Sequence, residues 1–231
     1  LHQPDRYAQA LQEAYPVIAA FGGVFLLMIG LRFFGEKREV RWLHTIEAPL
    51  GEFNQPWWVT ILGSATAIGV VALLLADNRR TVLAAVLGAI AFITVKVVSR
   101  LLVIRRGHAR GHGFSQFLYL ELLDASFSFD GVIAAFAITK QVLLIAAGLG
   151  IGALYVRSIT VHLLKAQTLT HYRYLIHGAH YAILALSILL LASIRIHIPD
   201  LLSGLIGLII IVTAFEHSRR HNRRLSTVFE T

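Results

Sequence analysis

The sequence predicts an all-α fold, a polytopic bundle of transmembrane helices. The 231 residues are 56% hydrophobic and only 15% charged, and their mean hydropathy is positive. The apolar residues fall in long blocks instead of alternating with polar ones, and the blocks reach the roughly 20 residues that a helix needs to cross a bilayer. We therefore expect one transmembrane domain over residues 1–231, with the lipid bilayer as its main partner.

Seven apolar blocks are long enough to cross the hydrocarbon core. A helix rises about 1.5 Å per residue, so a core about 30 Å thick requires runs of roughly 18–25 residues. The predicted spans cover residues 16–34, 57–76, 80–103, 114–139, 141–165, 173–194 and 198–216. Before the first span, residues 5–14 are expected to form either a short interfacial helix bounded by Pro4 and Pro16 or an ordinary connector.

The connections between the spans carry the polar residues. The longest, residues 35–56, is predicted to be a solvated loop or short in-plane helix, and it includes Glu47. Trp42 falls where an aromatic belt would hold the helix ends at headgroup level. Glycine-rich steps at 148–155 and 204–207 predict close approach between helices.

The distribution of positive charge predicts the orientation. One set of alternate connections, including the C-terminal tail, carries twelve Lys and Arg residues, whereas the opposite set carries five. Because Lys and Arg concentrate in cytoplasmic loops, we expect the C-terminus in the cytoplasm and the N-terminal end of this chain outside.

Three carboxylates lie inside the fourth apolar block. Glu121, Asp124 and Asp130 interrupt the otherwise apolar stretch LYLELLDASFSFDGVIAAFAIT. A charge at the bilayer centre costs at least about 2.5 kcal/mol, so such residues usually face a water cavity or an ion path. At 100° per residue, Glu121, Asp124 and Ser128 share one helix face, whereas Asp130 points to the opposite side. We expect either a separate partner for Asp130 or a helix break near residues 126–131.

These ligands suit a hard divalent cation. Carboxylate and hydroxyl oxygens bind Mg²⁺, Ca²⁺ or Mn²⁺, and the chain has no cysteine to select softer metals. The alternative is that the acids pair with buried bases. Arg157 is expected to balance or gate the charge, and Lys96 either does the same or extends its ammonium toward the interface.

Two histidines form a weaker candidate site. His177 and His180 stand three residues apart near the start of the sixth span, so they share a face and are predicted to serve as a proton relay or a secondary metal site, or to be packing residues. His217 and His221 are predicted to be solvated loop residues, and Glu216 is predicted to form a surface ion pair.

Several classes of function are excluded or unsupported by the sequence. The basic residues lie between apolar blocks and not on one face of a soluble domain, which argues against nucleic-acid binding. No nucleophile elbow, phosphate-binding glycine loop or HExxH motif is present, so we expect neither an enzyme nor a prosthetic group.

The acidic stretch resembles a known family signature. ELLDASFSFDGVIAAFAIT is similar to the second signature of the TerC-like membrane proteins, a tellurium-resistance-associated family of the LysE-type transporter superfamily. The segments FGGVFLLMIGLRFF, YRYLIHGAHYAI and IPDLLSGLIGLI look like a larger bacterial branch of that family. The resemblance implies two inverted repeats of about nine spans in total, with an ion path between them. The first acidic signature is not found in this sequence, so about two upstream spans are expected to be missing from it.

The resemblance also implies an activity and a location. It implies export of Mn²⁺ or a similar divalent cation across the bacterial inner membrane, with Glu121, Asp124 and Asp130 in the positions of the family acids. Two alternatives remain open, a membrane scaffold that recruits cytoplasmic stress-response proteins and a proton-coupled exporter of amino acids or other solutes. A homo-oligomer is a further possible assembly.

Overall fold

The computed structural model describes residues 4–35, 40–43, 79–105, 141–165, 172–196 and 198–229, with single positions between 45 and 72 and at 132 and 135. These residues form five long helices, and no strand occurs among them. The helices are α1 (Pro4–Gly35), α2 (Arg79–Arg105), α3 (Val142–Lys165), α4 (Leu175–Ala192) and α5 (Asp200–Phe229).

Each of the five helices contains a stretch that is long and apolar enough to cross a membrane. The stretches are Gln12–Phe34, Arg79–Val97, Val142–His162, Leu175–Ala192 and Leu201–Asn222. They correspond to five of the seven predicted spans, and the all-α class is confirmed for the described residues. The predicted spans at 57–76 and 114–139 lie outside those residues, apart from single helical positions within each.

α1 is longer than the sequence predicted. Pro16 was expected to separate the first span from residues 5–14, but it lies inside one continuous helix, so the prediction of a separate segment is wrong. Proline has no N–H, which removes the bond to the carbonyl of Gln12. Proline is tolerated in transmembrane helices where neighbouring groups compensate for the lost bond, and here Pro16 lies near the start of the apolar stretch.

α1 and α2 pack closely and run in the same direction. Phe25 of α1 meets Phe92 of α2 edge to face, with ring centroids 6.2 Å apart. One turn earlier, a Cβ at Gly88 would collide with the backbone carbonyl of Phe21. The two contact pairs advance together along both helices, so the helices are parallel. Small residues such as Ala85 and Ala89, both buried, allow this approach.

α4 packs against another side of α1 in the opposite direction. Tyr15, near the start of the apolar stretch of α1, lies 2.7 Å from the Ser193 hydroxyl at the end of α4. Ser193 donates its own proton to the Leu190 carbonyl, so Tyr15 is the donor in this pair. Further along, Leu184 closes over Gly30. α1 therefore lies between α2 and α4 and contributes most of the buried core.

α5 continues the bundle by packing antiparallel to α4. Gly178 of α4 faces Ala214 of α5, where a Cβ on the glycine would have no room. At the start of α4, the Tyr174 backbone N–H donates to the Ser218 hydroxyl at 3.5 Å. α5 also continues beyond the predicted span, which ended at residue 216, and reaches Phe229.

The residues at the end of α5 correct one prediction and confirm another. His217 and His221 lie on this helix and not in a loop. Both rings contact Tyr174, at centroid distances of 6.0 and 5.6 Å, and His221 is partly buried. Glu216 forms the predicted surface ion pair, with Arg220 at 3.1 Å and Arg219 at 3.9 Å. The charged pairs one turn apart support the helix beyond its apolar part.

Among the described residues, the close helix approaches occur at glycines other than the predicted ones. No described residue lies within 4 Å of a Cβ built at the glycines of the steps at 148–155 and 204–207. Almost all of the described side chains of α3 are exposed. The prediction assumed that a run of small residues marks a contact, but a glycine permits close approach only where another helix lies opposite it, as at Gly23, Gly30, Gly88 and Gly178.

Candidate functional site

The predicted cation ligands lie outside the described residues. Glu121, Asp124, Ser128 and Asp130 all fall between the end of α2 and the start of α3, as does the predicted helix break at 126–131. The structure describes α2 and α3, the helices before and after this segment, but not the four side chains themselves. The carboxylate site therefore stays a prediction.

The two predicted bases lie on helices that the structure describes. Arg157 is an exposed residue of α3, and Lys96 is a half-buried residue near the end of the apolar stretch of α2. The acids predicted to pair with them lie outside the described residues. Charge balance by Arg157 and Lys96 therefore stays a prediction as well.

The two histidines of the sixth predicted span do share a helix face. Both rings lie against Phe33 at the end of α1, His177 edge-on with centroids 5.2 Å apart and His180 stacked at 3.5 Å. His180 Nδ1 lies 2.8 Å from the Ile176 carbonyl oxygen, which can only accept, so this nitrogen carries a proton. His177 is buried, with 4% of its surface exposed.

The sequence did not reveal that Glu47 is a partner of His177. Glu47 was predicted to be solvated, but only 5% of it is exposed, so that prediction is wrong. Its Oε2 lies 3.6 Å from His177 Nε2, and its Oε1 accepts a hydrogen bond of 3.2 Å from the Tyr181 hydroxyl. The packing of the loop against α4 buries this carboxylate, and the polar partners offset the cost of removing it from water.

Glu47 also organises its own segment of backbone. Its carboxylate accepts the backbone N–H groups of Trp42 at 3.0 Å and Leu43 at 3.3 Å. In return, the Glu47 N–H donates to the Leu43 carbonyl at 2.9 Å, which closes a helical turn. A carboxylate that reaches back to the N–H groups at the start of a turn acts as a helix cap.

Trp42 extends this cluster to α5. Its indole Nε1–H donates to His217 Nδ1 at 3.0 Å, and its ring lies 5.7 Å from the ring of Tyr181. Because His217 Nδ1 accepts this bond, the proton of its neutral ring is on Nε2. We call Glu47, Trp42, His177, Tyr181 and His217 the Glu47 cluster. It joins the loop after α1 to α4 and α5 at one end of the bundle.

The geometry limits what the Glu47 cluster can do chemically. Glu47 Oε2 and His177 Nε2, 3.6 Å apart, are close enough for an ion pair but too far apart for a direct hydrogen bond, so the predicted proton relay through His177 stays a prediction. Among the described residues, no group of three or more His, Asp or Glu side chains is arranged to hold a metal ion. A secondary metal site at His177 and His180 gains no third ligand from those residues and stays a prediction.

Part of the Glu47 cluster had a local signal in the sequence. Glu47 follows Leu43 by four residues, a spacing at which a carboxylate can reach the N–H groups at the start of a helical turn. Its contacts with His177 and Tyr181 join residues far apart in the chain. Periodicity and hydropathy report only local sequence, so these contacts had no signal there.

The described residues thus define a helical bundle compatible with membrane insertion, with a buried polar cluster at one end. The chain belongs to the family described as Protein of unknown function (DUF475), whose model matches residues 1–225. Comparisons with curated proteins and with solved structures gave no match.

Proposed function

We propose that this protein is a membrane transporter that exports a divalent metal cation, with Mn²⁺ as the leading substrate. The cation would bind between residues 118 and 139, to Glu121, Asp124 and Asp130 with help from the Ser128 hydroxyl. The proposal rests on these acids, on their resemblance to the TerC-like signature, and on the directions of the described helices.

The helix directions are the structural observation that supports placing the acidic stretch inside the membrane. Successive contacts between α1 and α2 advance together, from Phe21 with Gly88 to Phe25 with Phe92. Contacts between α1 and α4 run in opposite senses, since the end of α4 meets the start of α1 at Tyr15. α2 is therefore parallel to α1, whereas α4 is antiparallel to both.

These directions constrain how often the connecting segments cross a membrane. Two parallel spans need an odd number of crossings between them, and the predicted span at 57–76 would supply one between α1 and α2. Two antiparallel spans need an even number. If α3 crosses between α2 and α4, a second crossing is required, and the predicted span at 114–139 fits that place. The directions thus support a seven-span topology with the acidic stretch inside the membrane.

Inside a membrane, the three acids need a cationic partner. Each carboxylate at mid-membrane costs at least about 2.5 kcal/mol, and a divalent cation would compensate more than one of them. Oxygen ligands of this kind suit Mn²⁺ and other hard cations. Arg157 and Lys96 would balance the remaining charge when the cation leaves.

The bacterial inner membrane, with the C-terminus in the cytoplasm, is the proposed location. The excess of Lys and Arg on one set of connections supports this orientation, and that set includes Arg41, Arg173 and the end of α5. Export then means movement from the side that carries Arg219 toward the side that carries Arg79.

A transport measurement tests the proposal. The full chain is reconstituted in liposomes with a Mn²⁺-sensitive dye, and flux is compared for the unchanged protein, Asp124→Asn and Asp130→Asn. We expect each substitution to abolish Mn²⁺ flux without loss of helix content. Glu216→Gln, which changes an exposed acid on α5, is the matched control and should retain full flux.

Two results would overturn metal export. Unchanged flux in Asp130→Asn would remove the central ligand from the proposal. Absence of Mn²⁺ flux in the unchanged protein, with proton-coupled efflux of an amino acid instead, would favour the solute exporter.

A further inference from the structure

Four arginines from three separate segments lie at the end of the bundle that carries the Glu47 cluster. Arg41 belongs to the loop after α1, Arg173 to the turn before α4, and Arg219 and Arg220 to α5. We call these four residues the arginine rim. Their separation in sequence means that the fold, and not a local run of charge, assembles the group.

The loop arginine is held near α5 by its neighbour. Trp42, directly after Arg41, donates its indole N–H to His217 at 3.0 Å, and His217 precedes Arg219 by two residues. The Glu47 carboxylate fixes the Trp42 backbone at the same time. The position of Arg41 therefore depends on defined contacts.

The turn before α4 is held against the same part of α5. Tyr172 and Tyr174 flank Arg173, and the Tyr172 ring contacts Phe215 with centroids 4.5 Å apart. The Tyr174 ring contacts the rings of both His217 and His221. Arg173 itself is exposed beside these contacts.

Among the described residues, the arginines of the rim outnumber the acids that are exposed beside them. The side chains of Arg219 and Arg220 are 51% and 71% exposed. Both contact Glu216, which is itself 43% exposed. The Glu47 carboxylate is buried and is held by Tyr181 and the loop backbone. Among the described residues at this end, Glu216 is thus the partly exposed acid, and the four arginines of the rim outnumber it.

The aromatic residues around the rim indicate its depth in a bilayer. Trp42 after α1 and Tyr172 and Tyr174 before α4 lie at this end of the bundle, and Trp and Tyr concentrate at the headgroup level of a membrane. The apolar stretch of α5 ends at Asn222, at the same end. Guanidinium groups at this depth meet lipid phosphates, whose geometry matches the arginine fork.

We propose that the arginine rim binds the phosphate groups of anionic lipids. The surface is cationic, it is assembled from three segments, and aromatic side chains place it at headgroup depth. This depth favours a lipid over a soluble acidic protein. The inference rests on the membrane insertion that the five apolar helices support, and it does not depend on metal export.

Lipid retention measures this binding. The full chain is purified, supplied with equal amounts of phosphatidylglycerol and phosphatidylcholine, and analysed by native mass spectrometry. We expect the unchanged protein to retain phosphatidylglycerol selectively. Each arginine near an anionic surface contributes roughly fivefold in affinity, so Arg219→Gln with Arg220→Gln should weaken retention by roughly 25-fold.

The control is the arginine pair at the start of α2. Arg79 and Arg80 are also adjacent and exposed, but they lie at the opposite end of α2, away from the rim. Arg79→Gln with Arg80→Gln should retain phosphatidylglycerol as the unchanged protein does. Equal losses from both double variants, full retention by the rim variant, or no preference for phosphatidylglycerol in the unchanged protein would overturn the proposal. The last result would favour a soluble acidic partner.

Discussion

At the scale of single residues, Glu47 shows how this chain accommodates a buried charge. A carboxylate removed from water loses strong hydration and needs several donors in return. Glu47 receives two backbone N–H groups and the Tyr181 hydroxyl, and its second oxygen faces His177. The same contacts fix the loop after α1 against α4. Glu47 is therefore expected to stabilise the fold more than the exposed acids do.

Replacing Glu47 should destabilise the protein. Glu47→Ala leaves three buried or partly buried donors without an acceptor, and each such group costs roughly 1–3 kcal/mol. Because all three bonds are only partly buried, water can replace part of the lost acceptor, and we expect a total loss of about 2–4 kcal/mol. The loss is measured as a lower midpoint of thermal unfolding by tryptophan fluorescence in detergent. Glu216→Ala, which removes only exposed ion pairs, should cost less than about 1 kcal/mol. Equal midpoints for the two variants would show that the Glu47 contacts contribute little.

At the scale of helices, the sequence predicted which segments are helical better than how they pack. Apolar length alone located α2, α3 and α4 to within a few residues, because a span must satisfy its backbone internally. The continuity of α1 through Pro16 and of α5 to Phe229 was missed, since proline and charge usually end a helix. The packing glycines were missed because their role depends on the helix opposite.

Gly88 offers a test of the parallel contact between α1 and α2. A Cβ at this position would collide with the backbone oxygen of Phe21, which cannot move aside as a side chain could. Gly88→Ala should therefore destabilise the protein by about 1–3 kcal/mol, as overpacking usually does. Gly207→Ala on α5 meets no atom and should be neutral or stabilising by up to about 1 kcal/mol. The unfolding midpoints of the two variants are measured side by side. Equal midpoints would show that α2 does not pack with Gly88 against the backbone of Phe21.

At the scale of the whole molecule, the contacts between helices give the arrangement and the directions of the helices, which hydropathy does not report. α1 lies at the centre, with α2 parallel and α4 antiparallel to it, and α5 follows antiparallel to α4. In a bilayer, van der Waals packing of small residues and buried hydrogen bonds would hold these helices together, since lipid tails are as apolar as the side chains. The long-range contacts of the Glu47 cluster had no sequence signal, because they join three separate elements. The candidate cation ligands lie outside the described residues.

The side of the membrane on which Gln141 lies tests the path of the acidic stretch. The chain has no cysteine, so single cysteines report position through a membrane-impermeant maleimide without background. Gln9→Cys, Arg79→Cys and Ile196→Cys should react from one side, and Arg173→Cys from the other, because these positions lie at opposite ends of the packed helices. Gln141 is exposed at the start of α3. If residues 114–139 cross the membrane, the maleimide labels Gln141→Cys from the same side as Gln9→Cys. Labelling from the side of Arg173→Cys instead would mean that the acids do not cross, and the proposed carboxylate path would be lost.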